Sequence, residues 1–371
     1  MKNNIAKIVS ADFLTFTRMA LRELDGTRIS KDRYLEMLAS RLMDFAEGKT
    51  KRLLVNLPPR HLKTQLCTVC FAAWMLAHEP ATKIMLLTYG QNLATDIARG
   101  IRDILQAAWY GSLFETRIKG LGEVQNFVTT AGGRVYATSF GGSITGFGAD
   151  IILVDDPHNA TELSADRIER TILQFNSVVV GRLNNPDEGR IMVVGHRVGE
   201  NDLSANLIET GEWTHVALPV MAVKTKTYDT RYGAWRRKKG DVLRAKKYDR
   251  KRIENLRRTS TSPPFELYYQ QGAEAKTLPA IKPAHLLTYE PIEVEALPRF
   301  ISVDTGMSDG ENSSFSVAQI WVSNGVDFFL IDQFRRRCRF NELVKNVRTL
   351  AKRYRGAPIL IEDTARRFCL R

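Results

Sequence analysis

The chain has 371 residues, 44% of them apolar and 26% charged, which allows more than one core and excludes a disordered chain. No run approaches the roughly 20 uncharged apolar residues that cross a bilayer, and the N-terminus MKNNIAKIVSADFLTF carries no apolar run backed by a cleavage site, so a cytosolic protein without a membrane partner is expected. A formal net charge of +13 points to a polyanionic partner.

Ser30 before KDRYLEMLASRLMDFAEGKT predicts a capped helix with Tyr34, Leu38, Leu42 and Phe45 on one face and Gly48 as its stop. The apolar run LLVNL (53–57) reads as a strand leading through PPRHLKT into a buried helix from about Lys63 to Ala77. Cys67 and Cys70 fall in that helix as a C-x-x-C. With no second pair at zinc-finger spacing they read as core residues, and four cysteines (with Cys338 and Cys369) are too scattered for a disulfide framework. KIMLLTY (83–89) predicts a second strand, followed by a helix from Gln91 to about Ala108. Next come a hairpin over 126–140 turning at Gly132 and Gly133, a glycine-rich stretch (141–150), a strand at IILVDD (151–156) and a polar helix from about Ser164 to Asn184. IMVVG (191–195) and WTHVALP (213–219) supply two more strands, and the alternation indicates an α/β domain with a mainly parallel sheet.

From Lys224 to Arg258 fifteen Lys or Arg stand against four Asp or Glu, so nearly the whole positive excess lies in one segment. It reads either as a solvated linker or as a phosphate-contacting surface, with Arg236, Arg237, Lys238 and Lys239 as candidate contacts. The pattern then resets: strands at 300–304 and 315–322, an Asn324-Gly325 turn, a strand at 326–332, a helix from Asn341 to Tyr354 and a strand at PILIED (358–363).

A strand, a loop and a helix beginning at Lys-Thr wrap backbone N–H groups around phosphates, with Lys63 reaching the β- and γ-phosphates and Thr64 holding Mg²⁺. The glycines of the usual G-x-x-x-x-G-K-[ST] pattern are replaced by Leu57 and Leu62, so the pattern alone leaves an ordinary strand exit and helix start open. IILVDD adds a buried strand that ends in two carboxylates: Asp155, suited to bind Mg²⁺ through water, and Asp156, placed to orient the attacking water. His196 and Arg197, after IMVVG, are candidate sensors of the γ-phosphate or simply loop residues.

Together NLPPRHLKT, GGSITGFGADIILVDDP, GRIMVVGHRVGENDLSANLIETGEWTHVALP and FELYYQQ resemble the large terminase family of tailed bacteriophages, over nearly all of the chain from Arg33 to Asp363. The resemblance implies a P-loop NTPase (RecA/ASCE-like) α/β domain followed by an incomplete ribonuclease-H-like α/β domain. It casts Pro59, Arg60, His61, Leu62, Lys63 and Thr64 as the phosphate loop, with Arg60 stabilising charge during hydrolysis. Asp155 becomes the metal-binding acid, Asp156 the catalytic acid, and Gly195, His196 and Arg197 the link between hydrolysis and DNA movement. The implied activity is ATP-driven translocation of double-stranded DNA into a procapsid, in the host bacterial cytoplasm. The implied partners are a portal protein, a small terminase subunit and further copies in a ring. Asp304 and Glu362 would hold Mg²⁺ or Mn²⁺ in the nuclease half. Ser314 stands where an Asp is usual and the chain stops at Arg371, so the expectation is a nuclease lacking its last strand, helices and one ligand. The expected division is an N-terminal segment (1–30), the ATPase domain (31–221), a basic linker (222–297) and the nuclease domain (298–371). Two alternatives stand beside this reading: a P-loop helicase or translocase, which needs a second RecA-like domain, and a non-catalytic DNA-binding prophage remnant.

Overall fold

The computed structural model describes residues 2–29, 31–120, 122–260, 264–272, 288–289, 297–305 and 315–361. Its contacts divide the chain into two compact units, Met1–Thr277 and Leu278–Arg371.

The first unit is built on a seven-stranded sheet. Helices α1 (Lys2–Ala11), α2 (Phe13–Asp25) and α3 (Arg33–Ala46) precede β1 (Arg52–Asn56). Then follow α4 (Phe71–His78), β2 (Lys83–Thr88), α5 (Gln91–Gln106), α6 (Ala108–Leu113), β3 (Asn126–Val128), β4 (Arg134–Ser139) and β5 (Ile151–Asp155). The series continues with α7 (Ala165–Gln174), β6 (Arg190–Gly195), α8 (Leu203–Glu209) and β7 (Thr214–Ala217). The strand order is β3-β4-β2-β5-β6-β1-β7, parallel throughout except for the β3/β4 hairpin. Strands β1, β2, β5 and β6 are covered on both faces, which is why they read as unbroken apolar runs. This order puts β6 between β1 and β5, so the loop after β1 and the acids ending β5 emerge at the same carboxyl edge, one strand apart.

Three expectations are corrected. Residues 1–30 are no separate segment: Phe13, Leu14, Phe16 and Leu21 of α2 are buried in the main core, where Phe16 meets Trp74, Trp109, Tyr110 and Phe114 edge-on. The helix expected over 63–77 contains a π-helical stretch, Gln65–Cys70, and the one expected over 164–184 is α only to Gln174, then π over Phe175–Val179 and 3₁₀ over Val180–Arg182. Finally, the basic segment is no linker. It forms a hairpin of β8 (Lys226–Tyr228) and β9 (Trp235–Arg237), then α9 (Arg250–Thr259) and α10 (Phe265–Tyr268), all within the first unit. Apolar residues hidden among its charges explain this: Leu243 joins the main core, and Tyr248, Ile253 and Phe265 pack with Val220 in a satellite cluster. Cys67 and Cys70 are fully buried and free, as core residues should be.

In the second unit β10 (Arg299–Asp304), β11 (Ser316–Ser323) and β12 (Phe328–Arg336) form an antiparallel meander, α11 (Phe340–Arg353) follows, and β13 (Ile359–Ile361) returns parallel to β10. The sheet order is β12-β11-β10-β13, over a small core of Ile301, Val303, Ala318, Ile320, Cys338 and Leu343. Ser314, Glu362 and Asp363 lie outside the described residues. Among the described residues no helix is long and apolar enough to cross a membrane.

Candidate nucleotide site

The loop between β1 and Lys63 takes a glycine-like path without glycine. Arg60 has φ 64° and Leu62 φ 59°, left-handed values that cost an L-residue roughly 1–2 kcal/mol each. Such alternation turns successive backbone N–H groups to one side, the geometry of an anion nest. The strain at Leu62 is offset by packing, because its half-buried side chain lies against the main core. Below it His61 is fully buried: its Nδ1 donates to the Pro59 carbonyl at 2.9 Å and its ring stacks on Tyr248, centroids 5.2 Å apart and planes 9° from parallel. Burial draws the His61 pKa down to about 4, so the ring is neutral. His61 therefore supports the loop from beneath.

At the end of β5, Asp155 is wholly buried and accepts hydrogen bonds from Thr64 Oγ1 (3.1 Å) and Thr68 Oγ1 (2.6 Å). Burial first, and then the neighbouring Asp156, raises its pKa well above the usual carboxylate range. Asp156, at φ 45°, takes the Lys63 ammonium at 2.6 Å. Burial works against the charge on Lys63, but Asp156 and Asp155 outweigh it and hold its pKa above the ordinary lysine value. The four side chains expected to act together thus meet in two adjacent contacts, the Lys63–Asp156 ion pair and the Thr64–Asp155 hydrogen bond. Thr68 was missed by the motif, although it lies one turn beyond Thr64 and so faces the same acid.

The Gly195 carbonyl accepts from the Leu57 N–H at 3.0 Å, which ties β6 to the start of the loop. His196 sits with Nδ1 3.4 Å from Asp156 Oδ1 and meets Tyr268 edge-on at 4.2 Å; burial pulls its pKa to about 4. Arg197, the other candidate sensor, faces Asp202. Its Nε bonds both Asp202 oxygens at 2.9 and 3.0 Å, and its Nη2 donates to the carbonyls of Gly199 and Glu200, so the guanidinium is spent on a loop.

These groups open onto a cleft of about 580 Å³, a size typical of small-molecule sites. Pro59, Arg60, Leu62, Lys63, Thr64, Asp156 and His196 line it; His61, Asp155, Gly195 and Arg197 do not. Arg244, Lys247, His158, Tyr268 and Asp25, none of them a candidate from the sequence, also line its wall. Arg244 and Lys247 come from the basic segment, and only tertiary folding brings them here. Among the described residues no three His, Cys, Asp or Glu side chains cluster to hold a metal by themselves. The donor set, one hydroxyl beside one carboxylate, suits Mg²⁺, which keeps waters and takes the rest of its ligands from phosphates.

Elsewhere Asp304 ends β10 exposed, and its expected partner Glu362 lies outside the described residues. Arg237 is buried, bonding the carbonyls of Pro219, Val220 and Asp241, so it is no surface contact for DNA, whereas Arg236, Lys238 and Lys239 are exposed.

The fold and site define an α/β protein with a phosphate-loop geometry beside a carboxylate-ended strand. No family model and no curated protein matches the chain. Solved structures that it resembles are large terminases. That of the HK97 bacteriophage is 11% identical, with 95% of this chain and 74% of that one covered and a TM-score of 0.43. The large terminase of a thermophilic bacteriophage is 9% identical, with 91% and 78% covered and a TM-score of 0.41. In complex with ADP the same thermophilic phage protein gives 9%, 88% and 77%, with a TM-score of 0.39. Likeness at this level carries no assignment of activity, which rests on the site itself.

Proposed function

We propose that the first unit binds and hydrolyses ATP with Mg²⁺, and that the chain is the large subunit of a phage DNA-packaging motor, acting on double-stranded DNA with a portal, a small terminase subunit and further copies in a ring. The observation that carries the ATPase reading is the meeting of Lys63, Thr64, Asp155 and Asp156, delivered from two strands of one parallel sheet.

Bound ATP with Mg²⁺ would supply the reacting phosphoanhydride, with Thr64 and Asp155 as the residues to hold the metal. Asp156 stands in for a phosphate on Lys63, so nucleotide phosphate competes for the same ammonium. Lys63 then neutralises phosphate charge while Asp156, released, turns to orient water. His196, neutral beside Asp156, adds no cationic charge to compete with Lys63. Arg60, exposed on the loop, is the candidate for charge stabilisation. In the second unit Asp304 with Glu362 would hold Mg²⁺ or Mn²⁺ for cutting, and the serine at 314 predicts that cutting is lost.

Packaging reads no sequence, so DNA contacts should be to phosphates and salt-sensitive. Helix α9, with exposed Arg250, Lys251 and Arg258, is the surface proposed for them. The test is ATP turnover with and without plasmid DNA, together with the salt dependence of DNA binding. Stimulation by DNA, and a flatter salt slope in the Arg250→Ala, Lys251→Ala, Arg258→Ala triple variant, are expected. Turnover indifferent to DNA would reduce the reading to an ATPase without a translocase.

A further inference from the structure

Lys63 is not the sole cation at the cleft, and it is the one already satisfied by carboxylates. Arg60, Arg244 and Lys247 share the wall with it. The carboxylate nearest Arg244 is a loose partner, Asp32, with Oδ2 3.8 Å from Nε. Among the described residues Arg60 and Lys247 take part in no ion pair. The crowding is felt: the Lys247 pKa is drawn below the ordinary lysine value, by burial first and then by Arg244, Arg60 and Arg252.

The turn that carries two of these cations is fixed to the phosphate loop. Leu243 on one side is buried in the main core, and Tyr248 on the other stacks on His61. The Arg244 carbonyl accepts from the N–H groups of Lys247 and Tyr248 at 2.9 and 3.0 Å. Two further bonds reach the loop backbone itself, Arg244 Nη1 to the Arg60 carbonyl at 3.1 Å and Tyr248 Oη to the Pro59 carbonyl at 3.3 Å. The carboxylates here are fewer than the cations: Asp156 is held by Lys63, Asp25 lies in the wall and Asp32 stands 3.8 Å from Arg244, so an anion still stabilises like charges held this close, and the more so the more charge it carries.

We propose that Arg244 and Lys247 make this cleft select a nucleoside triphosphate over a diphosphate, so that the basic segment is part of the nucleotide site as well as a surface for DNA. This rests on the reading of the cleft as a nucleotide site. Magnesium-bound triphosphate carries about one more negative charge than magnesium-bound diphosphate, and a wall with four Lys or Arg against two Asp attracts it in proportion. The preference is electrostatic, so it fades as salt rises.

The experiment is calorimetric titration of the full chain with ATPγS and with ADP, each with Mg²⁺, at low and at physiological salt. Lys247→Gln should weaken ATPγS by about tenfold and ADP by under about threefold. Arg244→Gln should do the same, and Arg244→Lys, which keeps the charge, should retain the wild-type ratio. Melting curves show whether each variant is folded, and Lys247→Gln decides if loss of the Arg244 bond loosens the turn. Equal weakening of both nucleotides by Lys247→Gln, or none, while Lys63→Ala still abolishes binding, overturns the selective role alone. Binding unaffected by Lys63→Ala removes the nucleotide site, and this proposal with it.

Discussion

Strand β5 in the first unit and strand β10 in the second are alike in sequence: each is a short apolar run that ends in an acid at the edge of its sheet. Their surroundings differ. Asp155 is wholly buried between two threonine hydroxyls and Asp156 holds a buried lysine, whereas Asp304 is exposed. A carboxylate at a strand end becomes a poised group when neighbouring elements desolvate it and aim cations and hydroxyls at it; position alone does not suffice.

The sharpest way to break this contrast is to neutralise each acid in turn. Asp155→Asn should lower ATP turnover by about 10²–10³-fold, the loss usual for a preorganised electrostatic group. Asp304→Asn should leave turnover within about twofold and stability within about 0.5 kcal/mol, as at other exposed sites. Phosphate release and urea unfolding of both variants check this, and an equal loss of turnover in the two would erase the distinction.

Acid should separate the units next. Burial draws His61 and His215 in the first unit from 6.5 to about 4, and the described residues of the second unit contain no histidine. The unfolded chain takes up protons below pH 6.5 that these folded imidazoles refuse, so their contribution is complete above that value and is lost as pH falls towards 4. Four of the five tryptophans lie in the first unit, so tryptophan emission reports mainly on it. Its urea midpoint should correspond to about 2 kcal/mol or more of lost stability at pH 5 relative to pH 7.5; an unchanged midpoint would mean that the two imidazoles are hydrated.

The smallest effects concern backbone. Exposed Arg60 holds φ 64° without glycine, and Gly325 in the β11/β12 turn holds φ 90° with it. Arg60→Gly should stabilise by at most about 1 kcal/mol, and Gly325→Ala should destabilise by about 1 kcal/mol. Thermal melts that moved both the same way would deny that the phosphate loop is strained.

The apolar runs LLVNL, KIMLLTY, IILVDD and IMVVG made the parallel sheet legible, because strands buried on both faces must be apolar throughout. The acids at 155 and 156 were legible for the same reason, since they end such a run, and the Lys63-Thr64 step follows another run by one loop. What escaped the sequence depends on packing between distant residues. Leu62 departs from the glycine pattern, yet its side chain finds enough core contact to keep the left-handed turn. Asp202 claims the Arg197 guanidinium, and His61, in the middle of the motif, turns inward on Tyr248. Charge density hid the folding of the basic segment, where isolated apolar residues such as Leu243, Tyr248 and Ile253 anchor the chain and carry Arg244 and Lys247 to the cleft.

The most direct test of the central claim is phosphate release from ATP by the purified chain with magnesium and DNA, run beside Lys63→Ala. The network of Lys63 with Asp156, and of Thr64 with Asp155, predicts turnover in the parent chain and its loss, by about 10²-fold or more, in the variant. Turnover that survives in Lys63→Ala, or a parent chain that binds no nucleotide and releases no phosphate, would contradict it.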